Sequence, residues 1–462
     1  MTNHPSVQAT AIHDDFTLVG PPDDLVEAYR TIVEQAKRIS LQVQPHKCQF
    51  IYFHNETEPL SPPVTSFIRH HRISYQDKAA IILGAPIGTN HESVERLATT
   101  MLKDQLAILD HLLHDAMPVQ EAMLLLRISS THKLDYLLRC VRPAAMQSLA
   151  KNFDSQLLQT FIKKNKLESQ FNHPDTDVET LRCQIQAPIS KNGMGITSAE
   201  SNMHIAYVSS LATTIQSNQS LAAFAHYNTT NHPLPANTPL HDQLTISLKI
   251  VHQQIGTPPP SAEPAQPVDP PDSDNDPQDG LLFPAILKNL PTTATEFVAA
   301  YNKSLDTTQH TSFMLQQTLT HKAQAVAKQA CMTRVRSNAR RQSSTTLLTV
   351  NARLLATSAP GSSTWLSATA FDSNTTIDNT SYQLAVRLRL GFAPFDIMPN
   401  NCHSCRVYSP VNLDLVLRNE WHYLNCMEGH GGREITLRHQ QLVQLLAPYL
   451  KLLLWTRIPS SD

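Results

Sequence analysis

Charge is scarce in this chain. Lys, Arg, Asp and Glu make up 16% of its 462 residues, against roughly a quarter in an average soluble protein. Cysteine is scarce as well. Its count of seven is odd and low for the length, which argues against a disulfide scaffold and for a reducing compartment. No apolar run approaches the roughly 18 residues that cross a bilayer. Residues 1–20 hold no basic segment followed by an apolar block, the mark of a secretory signal. The expectation is an intracellular protein, not secreted, with no membrane partner and with the nucleus among the compartments open to it. A hydrophobic content of 41% is enough to bury a core, which excludes a fully disordered chain.

Acids are absent from one long stretch. Between Thr307 and Phe371 there is none, while seven basic residues occur there: Lys322, Lys328, Arg334, Arg336, Arg340, Arg341 and Arg353. The net charge of −2 hides this asymmetry. It divides into −3 over residues 1–255, −6 over 256–280 and +7 over 281–462. A basic C-terminal part is compatible with an anionic partner such as nucleic acid. The ordinary alternative is a solvated helix face.

The acidic segment, Gly256 to Gly280, carries eight prolines, six acids and no aromatic residue. It cannot bury enough apolar area to offset its ordering entropy, and reads as a linker. Before it, residues 10–20 read as two short strands hinged at a polar pair. Asp23 and Asp24 open a helix whose stripe is Leu25, Tyr29, Ile32, Val33, Ala36 and Ile39. Residues 47–54 and 73–83 read as strands. A helix follows from Ser93, its expected N-cap, with Val94, Leu97, Met101, Ile108 and Leu112 on one face. Further helices are expected over 119–128, 134–150 and 154–168. Gly193-Met194-Gly195 interrupts the pattern, and helix resumes near Ser198. After the linker, residues 294–358 read as helical, as does the apolar run 439–455.

Two constellations carry chemistry. Asp14 and Asp15 stand together between apolar Ala11-Ile12 and Phe16-Thr17-Leu18-Val19. Like charges held this close repel, and a divalent metal offsets that repulsion. Hard carboxylate oxygens suit magnesium, which also takes substrate phosphates. An ordinary polar turn is the alternative. The second is Cys402-x2-Cys405-x16-His422-x3-Cys426, whose four ligands would close tetrahedrally on a structural zinc. Free thiols are the alternative, and His403, His430 and His439 are rivals for a ligand place.

The order of motifs resembles the end of a reverse transcriptase palm. AIHDDFTLVGPPDD looks like the family's catalytic hairpin, although Ile12 stands where an aromatic is usual and His13 fills the variable place. LQVQPHKC at 41–48 resembles the lysine turn beneath the nucleotide site, and LGAPIG at 83–88 the primer-gripping turn. LLLRISSTHKLDYLLRCVRP at 124–143 and PISKNGMGI at 188–196 are similar to the thumb and connection of non-LTR-type retroelement proteins. LAVRLRLGFAP at 384–394, the Cys-Cys-His-Cys set and GHGGREITLRHQQL at 429–442 resemble their zinc-knuckle region.

The resemblance implies that Asp14 and Asp15 bind Mg2+ and that Lys47 contacts the incoming triphosphate. It implies that Gly84, Pro86 and Gly88 form the primer grip. RNA and DNA would be the partners, and Zn2+ would be structural. Only 13 residues precede Asp14, whereas the family carries its fingers and the partner metal-binding aspartate upstream. The expectation is therefore a truncated RNA-directed DNA polymerase that does not polymerise alone. The alternatives are a non-catalytic nucleic-acid-binding protein using Lys322, Lys328, Arg334, Arg336, Arg340 and Arg341 with the knuckle, or a decayed open reading frame. The expected fold is α+β and predominantly helical. It would comprise a partial palm (1–92), a helical thumb and connection (93–255), the linker (256–280), a basic helical region (281–400), and a zinc knuckle with a terminal helix (401–462).

The metal assignment has a direct test. Structural zinc contributes folding free energy on the order of 10 kcal/mol in small zinc modules. Metal analysis of the purified chain should return one zinc per chain, lost in Cys405→Ser with new protease cuts within residues 400–430. A metal-free protein with unchanged protection there would contradict it.

Overall fold

The computed structural model describes residues 4–12, 15–53, 59–174, 176–217, 238–256, 290, 293–303, 311–342, 344–359, 361–370 and 375–392. The architecture within them is mostly helical with small strand pairs, so the fold class is α+β and predominantly helical. The linker reading over 257–280, the knuckle and the 439–455 helix lie outside these residues.

The N-terminal part is mixed. Strands β1 (Gln8–Ile12) and β2 (Asp15–Val19) pair antiparallel, with Ile12 opposite Asp15. Helix α1 (Pro22–Arg38) starts on a proline, with Asp23 and Asp24 in its first turn and Lys37 and Arg38 in its last. Each choice suits the end it occupies. The expected stripe is only partly right. Val26 and Ala28 are its buried residues, whereas Ile39 is 69% exposed. The cause is a helix missing from the sequence reading, α2 (Pro62–His71), which packs on the Val26 side of α1. The Ser61 side chain caps α2.

Strand β3 (Gln49–Ile51) lies parallel to β4 (Ser74–Gln76), with α2 as the crossover between them. The expected strand over 73–83 is really two, β4 and β5 (Ala79–Ile82), in separate pairs, and β5 turns back antiparallel into β6 (Ala85–Gly88).

From here the chain is helical. Helix α3 (His91–Leu113) begins two residues before Ser93, and its cap is Asn90, whose Oδ1 accepts from the Ser93 amide at 2.8 Å. The expected stripe is realised: Val94 and Leu112 are buried, and Leu97, Met101 and Ile108 pack against the same core. Helix α4 is Val119–Ile128. The break expected near 150–154 lies earlier. Helix α5 (Asp135–Cys140) stops short of Pro143, which opens α6 (Pro143–Lys164). A proline fits the first turn of a helix and not its interior, and residues 151–153 contain no breaker. Helices α7 (Glu168–Phe171), α8 (Val178–Gln186) and α9 (Ala199–Ser217) follow. Helix α8 ends on Ala187 in extended backbone, a 3-10 turn (Ile189–Lys191) closes on Asn192 at a φ of +68°, and Gly195 takes a φ of +72° before α9.

Helix α10 (Pro239–Ile255) precedes the proline-rich stretch. After it come α11 (Ala294–Lys303), α12 (Thr311–Gln342), α13 (Ser344–Ser358), α14 (Thr364–Ser367) and α15 (Asn379–Leu390). These helices share cores with those before the stretch. Leu366, Tyr382, Val386 and Leu390 join Met123, Leu126, Phe153 and Phe161 in the largest core. Phe297, Leu315 and Leu319 join Val208, Leu244 and Leu248 in the second.

One buried carboxylate fixes the entry into α9. Asp154 accepts from Ser198 Oγ at 2.6 Å, the Ala199 amide at 2.8 Å and the Glu200 amide at 3.2 Å. The two amides are donors that a helix start otherwise leaves unmatched. Burial pushes the Asp154 carboxyl above its ordinary value of 3.8, and the three hydrogen bonds hold it back. Its folded pKa thus exceeds the unfolded one. The stability it contributes is complete below the unfolded pKa and is lost as pH rises through the folded value. Thermal unfolding between about pH 3 and pH 7, a window that spans the ordinary carboxyl range, should show Asp154→Asn gaining on the wild type as pH rises. Asp154→Ala should cost roughly 1–3 kcal/mol, since it leaves buried donors unmatched. A wild type–Asn difference that stays constant over that range would contradict the burial account.

Candidate functional site

The site residues expected between Asp14 and Gly88 fall on, or just before, three strand pairs. The β1–β2 hairpin carries the acidic pair. Its register places Ile12 opposite Asp15, and the residues between them, His13 and Asp14, lie outside the described residues. The base of the hairpin is tied to α1. Ser6 Oγ donates to Asp24 Oδ2 at 2.6 Å, and the His4 ring bonds Thr31 Oγ1 at 2.9 Å. Gly20 ends β2 where a Cβ would stand 2.9 Å from the Ser6 carbonyl oxygen, so only glycine fits this crossing. The other acid at the start of α1, Asp23, accepts from Ser61 Oγ at 2.7 Å. Asp23 and Asp24 therefore brace α1 against the hairpin on one side and α2 on the other. Phe16 and Val19 on β2 are 51% and 62% exposed.

Lys47 ends a short 3-10 turn, Pro45–Lys47, that leads into β3. It is exposed, and no ion pair among the described residues involves it.

The β5–β6 hairpin carries Gly84, Pro86 and Gly88. Ile82 pairs with Ala85, so Leu83 and Gly84 form a two-residue turn, with φ of 49° and 77°. Positive φ at both positions is the tight hairpin geometry whose twist matches the strands, and glycine takes it without strain. Pro86 is buried. Gly88 lies against β5, where a Cβ would stand 2.3 Å from the Lys78 carbonyl oxygen. Two residues that sequence reasoning did not single out hold this hairpin. Tyr136 on α5 donates its hydroxyl to the Leu83 carbonyl. Arg142, before α6, donates to the Gly88 carbonyl at 2.7 Å. These contacts span 53 and 54 residues, and no local pattern announces them.

The acidic hairpin, the lysine turn and the glycine hairpin sit on three separate strand pairs, and no hydrogen bond among the described residues joins one pair to another. No group of three or more His, Cys, Asp or Glu able to hold a metal occurs among the described residues. Asp14, Cys402, Cys405, His422 and Cys426, with the rivals His403, His430 and His439, lie outside them. The four described cysteines, Cys48, Cys140, Cys183 and Cys331, are free thiols.

The acid-free run forms α12 and α13. Lys322, Arg334, Arg336, Arg340 and Arg341 are exposed and Lys328 is half-buried. Leu315, Leu319, Cys331, Met332 and Ala339 are buried along α12. Arg353 differs from its neighbours in the run. It is 9% exposed and donates to the Arg389 carbonyl at 2.6 Å, so it belongs to the interior. Comparison of the chain with family models, with curated proteins and with solved structures gives no match.

The glycine hairpin yields an ordered expectation for thermal unfolding. Gly84→Ala should cost about 1–2 kcal/mol through backbone strain alone. Gly88→Ala should cost more, because its Cβ would collide with backbone that cannot move aside. Equal losses, or a milder Gly88→Ala, would contradict the close approach of β5 to β6.

Proposed function

We propose that residues 8–88 are the end of a reverse-transcriptase palm and that the helices from His91 are its thumb. The observation that carries this reading is the order of parts. An antiparallel hairpin bearing Asp14-Asp15 leads into a helix, then a turn ending in Lys47. A glycine hairpin and a run of helices follow. This is the order of the motifs that the sequence resembles.

On this reading Asp14 and Asp15 would hold magnesium through carboxylate oxygens, the ligands that ion prefers. The metal would supply charge opposite the attacking and leaving oxygens. Lys47 would meet the triphosphate, while the backbone at Gly84 and Gly88, with Pro86 buried beneath, would approach the primer end. Cys402, Cys405, His422 and Cys426 would hold zinc in a structural role. A two-metal site uses a further carboxylate, and none occurs among residues 1–13. The partners would be RNA and DNA.

A second reading is a non-catalytic nucleic-acid-binding protein. What favours it is α12, whose Lys322, Arg334, Arg336, Arg340 and Arg341 are exposed on a helix without an acid. Such a surface would contact phosphates, and its binding would be independent of sequence.

The two readings separate in one experiment. The chain should not extend a primer on an RNA template with magnesium or manganese. It should bind the primer–template more tightly when magnesium is added, and Asp14→Ala should abolish that gain. Magnesium-independent binding unchanged in Asp14→Ala would favour the second reading. Extension lost in Asp14→Ala would show that another carboxylate completes the site.

A further inference from the structure

The parallel pairing of β3 and β4 has a consequence at the end where both strands begin. Gln49 lies opposite Ser74, and the Ser74 amide donates to the Cys48 carbonyl at 3.2 Å. The residues just before each strand therefore meet at one end of the pair. Before β3 these are His46 and Lys47, and before β4 they are Arg69, His70, His71 and Arg72. Lys47, Arg69, His70 and Arg72 are all exposed.

Among the described residues, no carboxylate pairs with this group. The carboxylates of α1 are engaged elsewhere: Asp23 with Ser61, Asp24 with Ser6, Glu27 with Arg30, and Glu34 with Arg38. No ion pair among the described residues involves Lys47, Arg69 or Arg72. Basic residues in the last turn of α2 favour the helix end. That accounts for Arg69, His70 and His71, but not for Lys47 and His46, which arrive from another element.

An aromatic surface adjoins the basic end. Tyr75, the second residue of β4, is 39% exposed. Tyr52 lies near enough to help raise the Tyr75 hydroxyl pKa, after burial and Asp77. Cationic groups beside exposed aromatic rings are the means by which proteins hold single-stranded nucleic acid. The cations take the backbone, and the bases stack on the rings. A lipid headgroup or a folded anionic protein would use the cations but leave the ring without a task.

We propose that the start of the β3–β4 pair is a binding surface for single-stranded nucleic acid, in which Arg69, His70 and Arg72 meet phosphates and Tyr75 stacks a base. The surface is argued independently of the polymerase reading, and it stands or falls whatever primer extension shows. Lys47 is left unchanged in the test because that reading gives it another role.

The test is fluorescence anisotropy of the full chain with a short labelled oligouridylate, at about 50 and 200 mM salt, a range over which phosphate contacts show themselves. Arg69→Gln/His70→Gln/Arg72→Gln should bind about tenfold more weakly at low salt. Its log–log salt slope should be shallower by about 1.4, at about 0.7 for each phosphate that an arginine no longer neutralises. Tyr75→Ala should also weaken binding about tenfold, in the range measured for base stacking, with the salt slope unchanged. Arg69→Lys/Arg72→Lys and Tyr75→Phe should each restore most of the affinity, which excludes misfolding as the cause of a loss. Unchanged affinity in either disruptive variant would overturn the proposal. So would a loss in the arginine variant alone with Tyr75→Ala unaffected, which would mark a general polyanion surface. Loss of binding to phosphatidylserine vesicles with RNA binding retained would overturn it as well.

Discussion

Buried arginines that bond backbone carbonyls organise the helical part of this protein. Arg389 is 3% exposed. It donates from Nε to the Gly193 carbonyl at 3.1 Å, and from Nη2 to the Ile189 carbonyl at 2.7 Å and Ser363 Oγ at 3.0 Å. Arg353 donates to the Arg389 carbonyl, Arg387 to the Lys166 carbonyl and Arg127 to the Leu366 carbonyl. The Lys166, Gly193, Leu366 and Arg389 carbonyls lie at or just beyond the C-terminal ends of helical segments, where carbonyls lack a partner within the helix and a cation is favoured, while Ile189 opens the 3-10 turn that Gly193 follows. Burial, with Arg127 and Arg353 adding to it, pulls the Arg389 guanidinium down to about 10. It therefore keeps its charge at neutral pH, and its planar fork of donors can satisfy several carbonyls at once. Gly391 belongs to the same arrangement. Its φ of +88° ends α15, and a Cβ there would stand 2.8 Å from Arg353 Cζ.

These bonds join chain on both sides of the proline-rich stretch. Gln120 extends the effect. Its amide nitrogen donates to the Ala368 and Thr375 carbonyls at 3.1 and 3.0 Å, while its oxygen accepts from the Ile377 amide at 2.8 Å. Nearby, Asn379 accepts from the Val119 amide at 2.8 Å. Polar groups this deep contribute only when matched, and removing one partner costs more than the bond itself is worth. The apolar cores follow the same route, since Tyr382, Val386 and Leu390 pack with Met123 and Phe161. The helices before and after the stretch thus form one unit, and the basic face of α12 is mounted on it.

The sequence was most readable where structure is local. The stripe of α3, the acidic start and basic end of α1 and the two strands around Asp15 are set by neighbours within a few residues, and each is found where periodicity and helix-end charge place it. Legibility fails where a partner is distant. Nothing near Arg353 distinguishes it from Arg340, yet one is interior and the other exposed, because only Arg353 faces the end of α15. Helix α2 was missed because its short apolar set, Val64, Phe67 and Ile68, follows two prolines and ends in two histidines and an arginine. Around the candidate residues, the strand pair that carries Asp15 was legible from its apolar pattern, and the Leu83–Gly84 turn lies within the motif quoted for it. Tyr136 and Arg142, which hold the second hairpin, were not, for the same reason of distance.

If buried arginines and shared cores make one unit of the two sides, the covalent link between them is dispensable once the protein has folded. The direct measurement is to cut an engineered protease site within residues 257–280 and follow both fragments by gel filtration and calorimetry. The account predicts that they co-elute and unfold in a single transition, as a cooperative unit does, and that Arg389→Met separates them. Fragments that elute apart, or that unfold in two independent transitions with Arg389 intact, would contradict it.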